Sequence, residues 1–255
     1  LVDLVRCIAL EQMLNRCFEC EIATRFTTDF LLQELNKNFS NVHILLKDDR
    51  HYNEFINFLT GDEIVVLDNY FFTTSYQLQI KRKGCNLVCI DDKHNKHFVS
   101  DVIINHAPRL SESVYSKNET TKCFLGFDYV MLRQPFLEAV RCNNSKQKSI
   151  NESVTINFGG IDHYNLTLKY LKYLDKLDFF REINLLVSGN YKYFNQLYDY
   201  LSQNHHINCT IHVDLSDDKL IYLFLKSSFG IASASTVSFE MLSVKIPMMV
   251  GYYVD

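Results

Sequence analysis

The sequence predicts an α/β fold made of two parallel-sheet halves, and three observations carry that expectation. Short apolar runs alternate with helical patterns almost from end to end. The longest apolar runs, such as "SVTINFGGI" and "KIPMMVGYYV", are interrupted by Gly or Pro and are too short to span a bilayer. The rhythm stops once, at 141–153, "RCNNSKQKSINES", a polar stretch without aromatic residues that reads as a linker, and then restarts. Strand–helix alternation implies parallel sheets joined by right-handed crossovers.

The opening "LVDLVRCIALEQML" reads as an amphipathic helix. Leu4, Ile8, Leu10 and Leu14 fall near helical spacing, and Glu11, Gln12 and Asn15 turn outward. "CEIATRF" follows as a strand, "TDFLLQELNKNF" as a helix and "NVHILLK" as a strand. "RHYNEFINFLT" is the next helix, ended by Gly61, and "EIVVLD" the next strand. "SYQLQIKRKG" is a helix closed by Gly84, ahead of strands "NLVCIDD" and "DVIINH". After the break come strand "SVTINF", helix "LTLKYLKYLDKL", strand "EINLLVSG", helix "YFNQLYDYLS" and strand "CTIHVDL". A helix over Asp217–Lys226 has Ser216 as its N-cap and Asp217 and Asp218 in its favourable first turn. Strand "FGIAS", helix "TVSFEMLS" and strand "IPMMVGYYV" complete the half. The domains expected are 1–143 and 153–255, with a linker at 144–152.

Composition narrows the function classes. A chain of 255 residues holds one large domain or two of about 125 each. An apolar fraction of 47% with 22% charged residues is ordinary for a soluble globular protein. The net charge of −4, with Lys and Arg scattered, gives no electrostatic reason to expect nucleic-acid binding. Eight cysteines include only a lone C-x-x-C (Cys17, Cys20) and a lone C-x-x-x-C (Cys85, Cys89). A structural zinc site wants two such clusters together, so buried free thiols in a reducing cytoplasm are expected.

Four stretches could carry chemistry. In "INFGGIDHYN" a strand ends in Gly159-Gly160, where a diphosphate could approach a backbone without Cβ atoms; the alternative is a plain turn. In "GIASASTVSFEML", Ser233, Ser235 and Thr236 gather hydroxyls at a helix N-terminus, which favours phosphate. Glu240, four residues beyond Thr236, shares its helix face and could accept both hydroxyls of a ribose. The alternative there is an ordinary Ser/Thr cap with an exposed Glu. Both turns lie at the carboxyl ends of strands, where open α/β sheets bind ligands, so together they favour a nucleotide. "VVLDNYFF" puts Asp68, Asn69 and Tyr70 at another strand's carboxyl end, against the alternative of a polar turn with a core tyrosine. "IDDKHNKHFVSDVIINH" offers Asp91, Asp92, His94, His97 and His106, but as a loop with no helix to fix a ligand pair, so a polar loop is the better reading than a metal site.

Taken together these residues resemble a known family, the UDP-sugar hydrolase of pseudaminic acid biosynthesis. The similar stretches are "DLVRCIALEQML", "VVLDNYFF", "CIDDKHNKHFVSDVIINH", "FLGFDYVMLRQPFLEA", "INFGGIDHYNLT" and "SASTVSFEMLS…IPMMVGYYVD". They run in family order across nearly the whole chain. The run Tyr129, Leu132, Arg133 ahead of Phe136 is the most specific to the hydrolase. The resemblance implies a GT-B fold, two Rossmann-like domains facing across a cleft, in which water attacks the anomeric carbon of a UDP-linked 2,4-diacetamido-2,4,6-trideoxy sugar. It implies UDP contacts at Gly159, Gly160, Val213, Ser233, Ser235, Thr236 and Glu240, with uracil read by backbone groups near 212–215. It also implies catalysis by Tyr70 and by the residue at position 3. There the family has a histidine base, and this chain has Asp3.

A carboxylate of ordinary pKa ~3.9 is a weaker base than imidazole at neutral pH. A lost general base costs about 10²–10⁴ in rate, so weakened hydrolysis is expected. By the same resemblance the family's first strand and glycine turn would precede Leu1, and an active-site Asn would follow Asp255. No cofactor or metal is implied. The partner is a UDP-sugar rather than nucleic acid or membrane, and the protein is expected to be a cytoplasmic monomer. An inverting glycosyltransferase, or a non-catalytic nucleotide-sugar-binding protein, would use the same fold.

Overall fold

The computed structural model describes residues 2–25, 29–142, 152–159, 162–177 and 179–251. By packing, the chain divides into two compact units, Arg6–Met131 and Leu132–Asp255, the second taking in Leu1–Val5.

The first unit alternates strands and helices as the sequence predicts. After α1 (Val2–Leu14) come β1 (Glu21–Thr24), α2 (Asp29–Asn38), β2 (Asn41–Ile44), α3 (His51–Phe58), β3 (Ile64–Asp68), α4 (Thr74–Arg82) and β4 (Asn86–Ile90). Then follow β5 (His97–Phe98), β6 (Val102–Asn105), β7 (Ser116–Lys117) and β8 (Lys122–Leu125). The strands β3-β4-β6-β8 form one parallel sheet, while β1 pairs in parallel with β2 and β5 with β7. Leu67, Ile80, Leu87, Phe98 and Ile103 share the core of the four-stranded sheet.

Helix α4 shows how local sequence sets an element. The Thr73 hydroxyl accepts from Tyr76 N at 3.2 Å, satisfying an orphan N–H. Tyr76, Gln77 and Ile80 are its buried stripe. Gly84 then takes φ +103°, a conformation other residues avoid. Gly61, at φ +111°, packs on the same turn, and a Cβ there would strike the Lys83 carbonyl. Gly84 thus ends α4 as predicted, whereas α3 already stops at Phe58, where Leu59 turns extended ahead of Gly61.

The second unit contains α5 (Gln134–Cys142), β9 (Ser153–Asn157), α6 (Leu166–Leu177), β10 (Glu182–Val187), α7 (Phe194–Gln203) and β11 (Cys209–Val213). It continues with α8 (Asp217–Lys226), β12 (Phe229–Ser233), α9 (Thr236–Ser243) and β13 (Met248–Gly251). All five strands are parallel, in the order β11-β10-β9-β12-β13. The central β9 is buried along its whole length, as expected of a strand covered on both faces. Leu168, Leu171 and Leu174 of α6 pack against Val154, Ile156 and Leu185 in the main core of this unit.

The structure departs from the sequence reading in four places. Helix α5 was not foreseen as part of the second half. It packs on α8 and α9, with Phe136 fully buried and its ring 6.3 Å from that of Phe224. The division by packing falls between Met131 and Leu132. Most of the polar stretch read as a linker, 143–151, lies outside the described residues. Glu11, read as outward-facing, is buried at 5% exposure, so α1 is covered on more than one stripe. Ser216 occupies the N-cap position of α8, yet its side chain makes no capping hydrogen bond. Finally, the segment after β6 carries β7 and β8, which no alternation in the sequence signalled.

Candidate functional site

The strand order of the second unit reads third-second-first-fourth-fifth, so the chain reverses direction across the sheet between β9 and β12. A doubly wound sheet binds ligands outside the carboxyl ends of the strands at such a reversal. The two turns singled out from sequence are the two that flank it. Gly159 follows β9 with φ +83°, and its N–H donates to Asn157 Oδ1 at 3.0 Å. Gly160 lies outside the described residues. On the other side, Ser233 ends β12, Ser235 occupies the N-cap position of α9, and Thr236 opens the helix. The Ser233 and Ser235 hydroxyls lie 3.0 Å apart, and the Ser235 hydroxyl does not cap its own helix. The first amides of α9 thus keep their capacity to bind an anion. Val213 ends the edge strand β11 at the same end of the sheet, 42% exposed. Beside it Asp214, at φ +46°, accepts from Gly189 N at 3.0 Å and ties the β10 and β11 turns together.

Asp162 is a residue that sequence reasoning missed. It is 2% exposed, and its two carboxylate oxygens accept from Leu166 N and Thr167 N, each at 2.8 Å. It therefore caps α6 and anchors the turn that follows Gly159. The signal was an acidic residue four positions before the apolar helical pattern.

Glu240 is not the exposed carboxylate of an ordinary Ser/Thr-capped helix. It is 3% exposed on α9, and burial pushes its pKa up. Arg133, immediately before α5, donates to Glu240 Oε1 through Nε at 3.0 Å and Nη2 at 2.7 Å. Its third arm, Nη1, pairs with Asp217 in the first turn of α8. One guanidinium thus joins α5, α8 and α9. Arg133 was noted in the sequence only as part of a resemblance; a partner 107 positions away leaves no local trace.

In the first unit, Tyr70 lies just beyond the carboxyl end of β3, and its hydroxyl donates to Asp92 Oδ2 at 3.0 Å. Arg6, 5% exposed, reaches the same Asp92 oxygen at 3.1 Å and grips both oxygens of Asp68. Two carboxylates, a guanidinium and a phenol thereby meet at the carboxyl ends of β3 and β4. Lys93 places its ammonium 4.4 Å from the Tyr70 ring centroid, and Lys96 donates to the Tyr70 carbonyl at 2.7 Å. Asp3 falls within the first turn of α1; its side chain is outside the described residues.

The histidines of the 91–106 loop diverge. His97 bonds Ser116 and Asn118, and His94 faces the Tyr115 ring edge-on. Among the described residues no three His, Cys, Asp or Glu side chains gather as metal ligands. Cys85 and Cys89 are buried free thiols, and burial pushes Cys89 up to about 12. No helix among the described residues is long and apolar enough to cross a membrane.

No protein-family model matches the chain. It is 24% identical over 198 residues to the uncharacterized protein MJ1062 of Methanocaldococcus jannaschii. That match takes in 74% of this chain and 40% of the relative, so less than half of that protein is represented. MurG of Acinetobacter baumannii superposes on 97% of this chain and 82% of its own, with a TM-score of 0.56 at 11% identity. A glycosyl transferase family 9 protein of Veillonella parvula covers all of this chain and 79% of its own at a TM-score of 0.37 and 10% identity, too low to weigh. The fold is GT-B glycosyltransferase-like, with two Rossmann-like α/β units.

Proposed function

We propose that this chain is a nucleotide-sugar enzyme whose second unit holds UDP, and that it releases UDP from a UDP-linked sugar by hydrolysis. The observation that supports this most directly is the meeting of the Gly159 turn and the Ser233–Thr236 helix start at the strand-order reversal. A diphosphate needs such a place: backbone approach from one turn, and hydroxyls with free amides from the other. In the proposed reaction the water oxygen bonds to the anomeric carbon. The bond from that carbon to the diphosphate oxygen breaks, UDP leaves with the electron pair, and a carboxylate takes the water's proton. The sequence resemblance supports a 2,4-diacetamido-2,4,6-trideoxy sugar as the group released, the domain division near 144–152, and the roles of Tyr70 and Asp3.

A second reading is supported by the likeness in fold to MurG: glycosyl transfer, with a hydroxyl taking the place of water. UDP release from a UDP-sugar without acceptor separates the two. Release favours hydrolysis; release only on addition of an acceptor favours transfer. Calorimetric titration with UDP and ADP tests the nucleotide site itself. UDP is expected to bind measurably and ADP less well, and equal affinities would remove the basis for a UDP-sugar enzyme.

A further inference from the structure

Two of the arginine–carboxylate contacts among the described residues, Arg6–Asp68 and Arg133–Glu240, are built differently. Arg6 meets Asp68 fork to fork: Nε takes Oδ2 and Nη2 takes Oδ1, which occupies both oxygens. Arg133 brings the same two nitrogens to a single oxygen of Glu240, Oε1. Among the described residues nothing donates a hydrogen bond to Oε2. The guanidinium is itself held on two further sides, by Asp217 through Nη1 and by the Phe136 ring 5.2 Å from its central carbon. Its orientation is therefore fixed from α5 and α8, and with it the orientation of Glu240.

Glu240 also stands on the helix that begins at the reversal point, one turn below Thr236 on the same face. A buried carboxyl group tends to lose its charge, and Asp217 nearby adds to that tendency. The charged groups that bear on Glu240 are Arg133 from the α5 side, which favours ionisation, and Asp217 from α8, which opposes it. Without Arg133 no hydrogen bond among the described residues would hold the Glu240 carboxyl group in this orientation.

We infer that Arg133 is a positioning residue for nucleotide recognition: it holds Glu240 turned so that Oε2 accepts from the ribose hydroxyls of the bound nucleotide. This rests on the reading that the second unit binds UDP. Oε1 is spent on Arg133, so Oε2 meets the ribose as an oriented acceptor, and discrimination between ribose and deoxyribose depends on a residue that never touches the ligand.

The test is calorimetric titration of the full chain with UDP and with 2′-deoxy-UDP, on wild type, Arg133→Gln and Arg133→Lys. The wild type is expected to prefer UDP by about tenfold, the worth of one charge-assisted hydrogen bond. Arg133→Gln is expected to bring that ratio to about one while 2′-deoxy-UDP affinity changes by less than about twofold, because only the ribose contact depends on the guanidinium. A ratio unchanged in Arg133→Gln overturns the inference, whatever happens to absolute affinity. If Arg133→Gln does not fold, Arg133→Lys decides. Its point charge cannot reproduce the two-nitrogen grip, so the ratio should fall at least about threefold, and an unchanged ratio again overturns the inference. Wild type that binds UDP and 2′-deoxy-UDP equally sinks the inference alone; wild type that binds no UDP sinks the nucleotide reading with it.

Discussion

At the scale of single residues, Glu240 makes stability depend on pH in a direction opposite to that of most carboxylates. Its pKa is raised by burial, so the folded state holds the proton more tightly than the unfolded chain. That contribution to stability is present below the ordinary carboxylate range and is lost as pH rises through the raised value. Arg133 offsets the loss by favouring the ionised form, and Asp217 works against it. Arg133→Gln should therefore be less stable than wild type at pH 7 by about 3–5 kcal/mol, the usual cost of removing one partner of a buried pair. The difference should narrow as pH falls from 7 toward 5, because protonation of Glu240 removes the unpaired charge. Urea unfolding of both proteins across that range checks it; a gap that does not change with pH would mean that Glu240 is already neutral in the wild type.

At the scale of elements, the turns carry the site and the side chains that cap helices hold the turns. Asp162 satisfies two of the orphan amides of α6 from a left-handed backbone position that aspartate tolerates. Asp162→Ala should cost about 1–2 kcal/mol, at the upper end for a helix cap because two hydrogen bonds are lost from a buried site. It should also weaken UDP binding, since the turn after Gly159 loses its anchor. Equilibrium denaturation measures the first effect and titration the second. Undiminished stability in Asp162→Ala would show that water replaces the carboxylate. The glycines at 61 and 84 make the same point in the first unit: each takes a left-handed φ in the turn between a helix and the strand that follows it.

At the scale of the whole molecule, each unit has its own core and its own parallel sheet, so a nucleotide held by one unit should leave its mark there. A ligand at 100 times its Kd adds about 2.7 kcal/mol to whatever binds it. Hydrogen exchange with UDP present should therefore slow the amides of β9, β12 and the first turn of α9 most strongly, with a smaller change in β3 and β4. Protection strongest in the sheet of the first unit would place the nucleotide there instead and overturn the assignment of the Ser233–Thr236 turn.

The sequence by itself determined the class of fold and most of its elements. Hydrophobic periodicity and turn chemistry are local, so the strands of both large sheets apart from β8, the helix end before Gly84, and the strand-to-helix turns at 159 and 233–236 could be read from neighbours a few positions apart. Tertiary structure decided which of those turns meet. That Gly159 and Ser233 flank one reversal follows from strand order, which sets Ile156 of β9 beside Ile231 of β12, far apart in the chain. The placement of α5 with the second unit, the burial of Glu11, the Arg6–Asp92–Tyr70 cluster and the Arg133–Glu240 pair belong to the same class. Each depends on residues far apart in the chain being packed together, and no period of 2 or 3.6 residues records that.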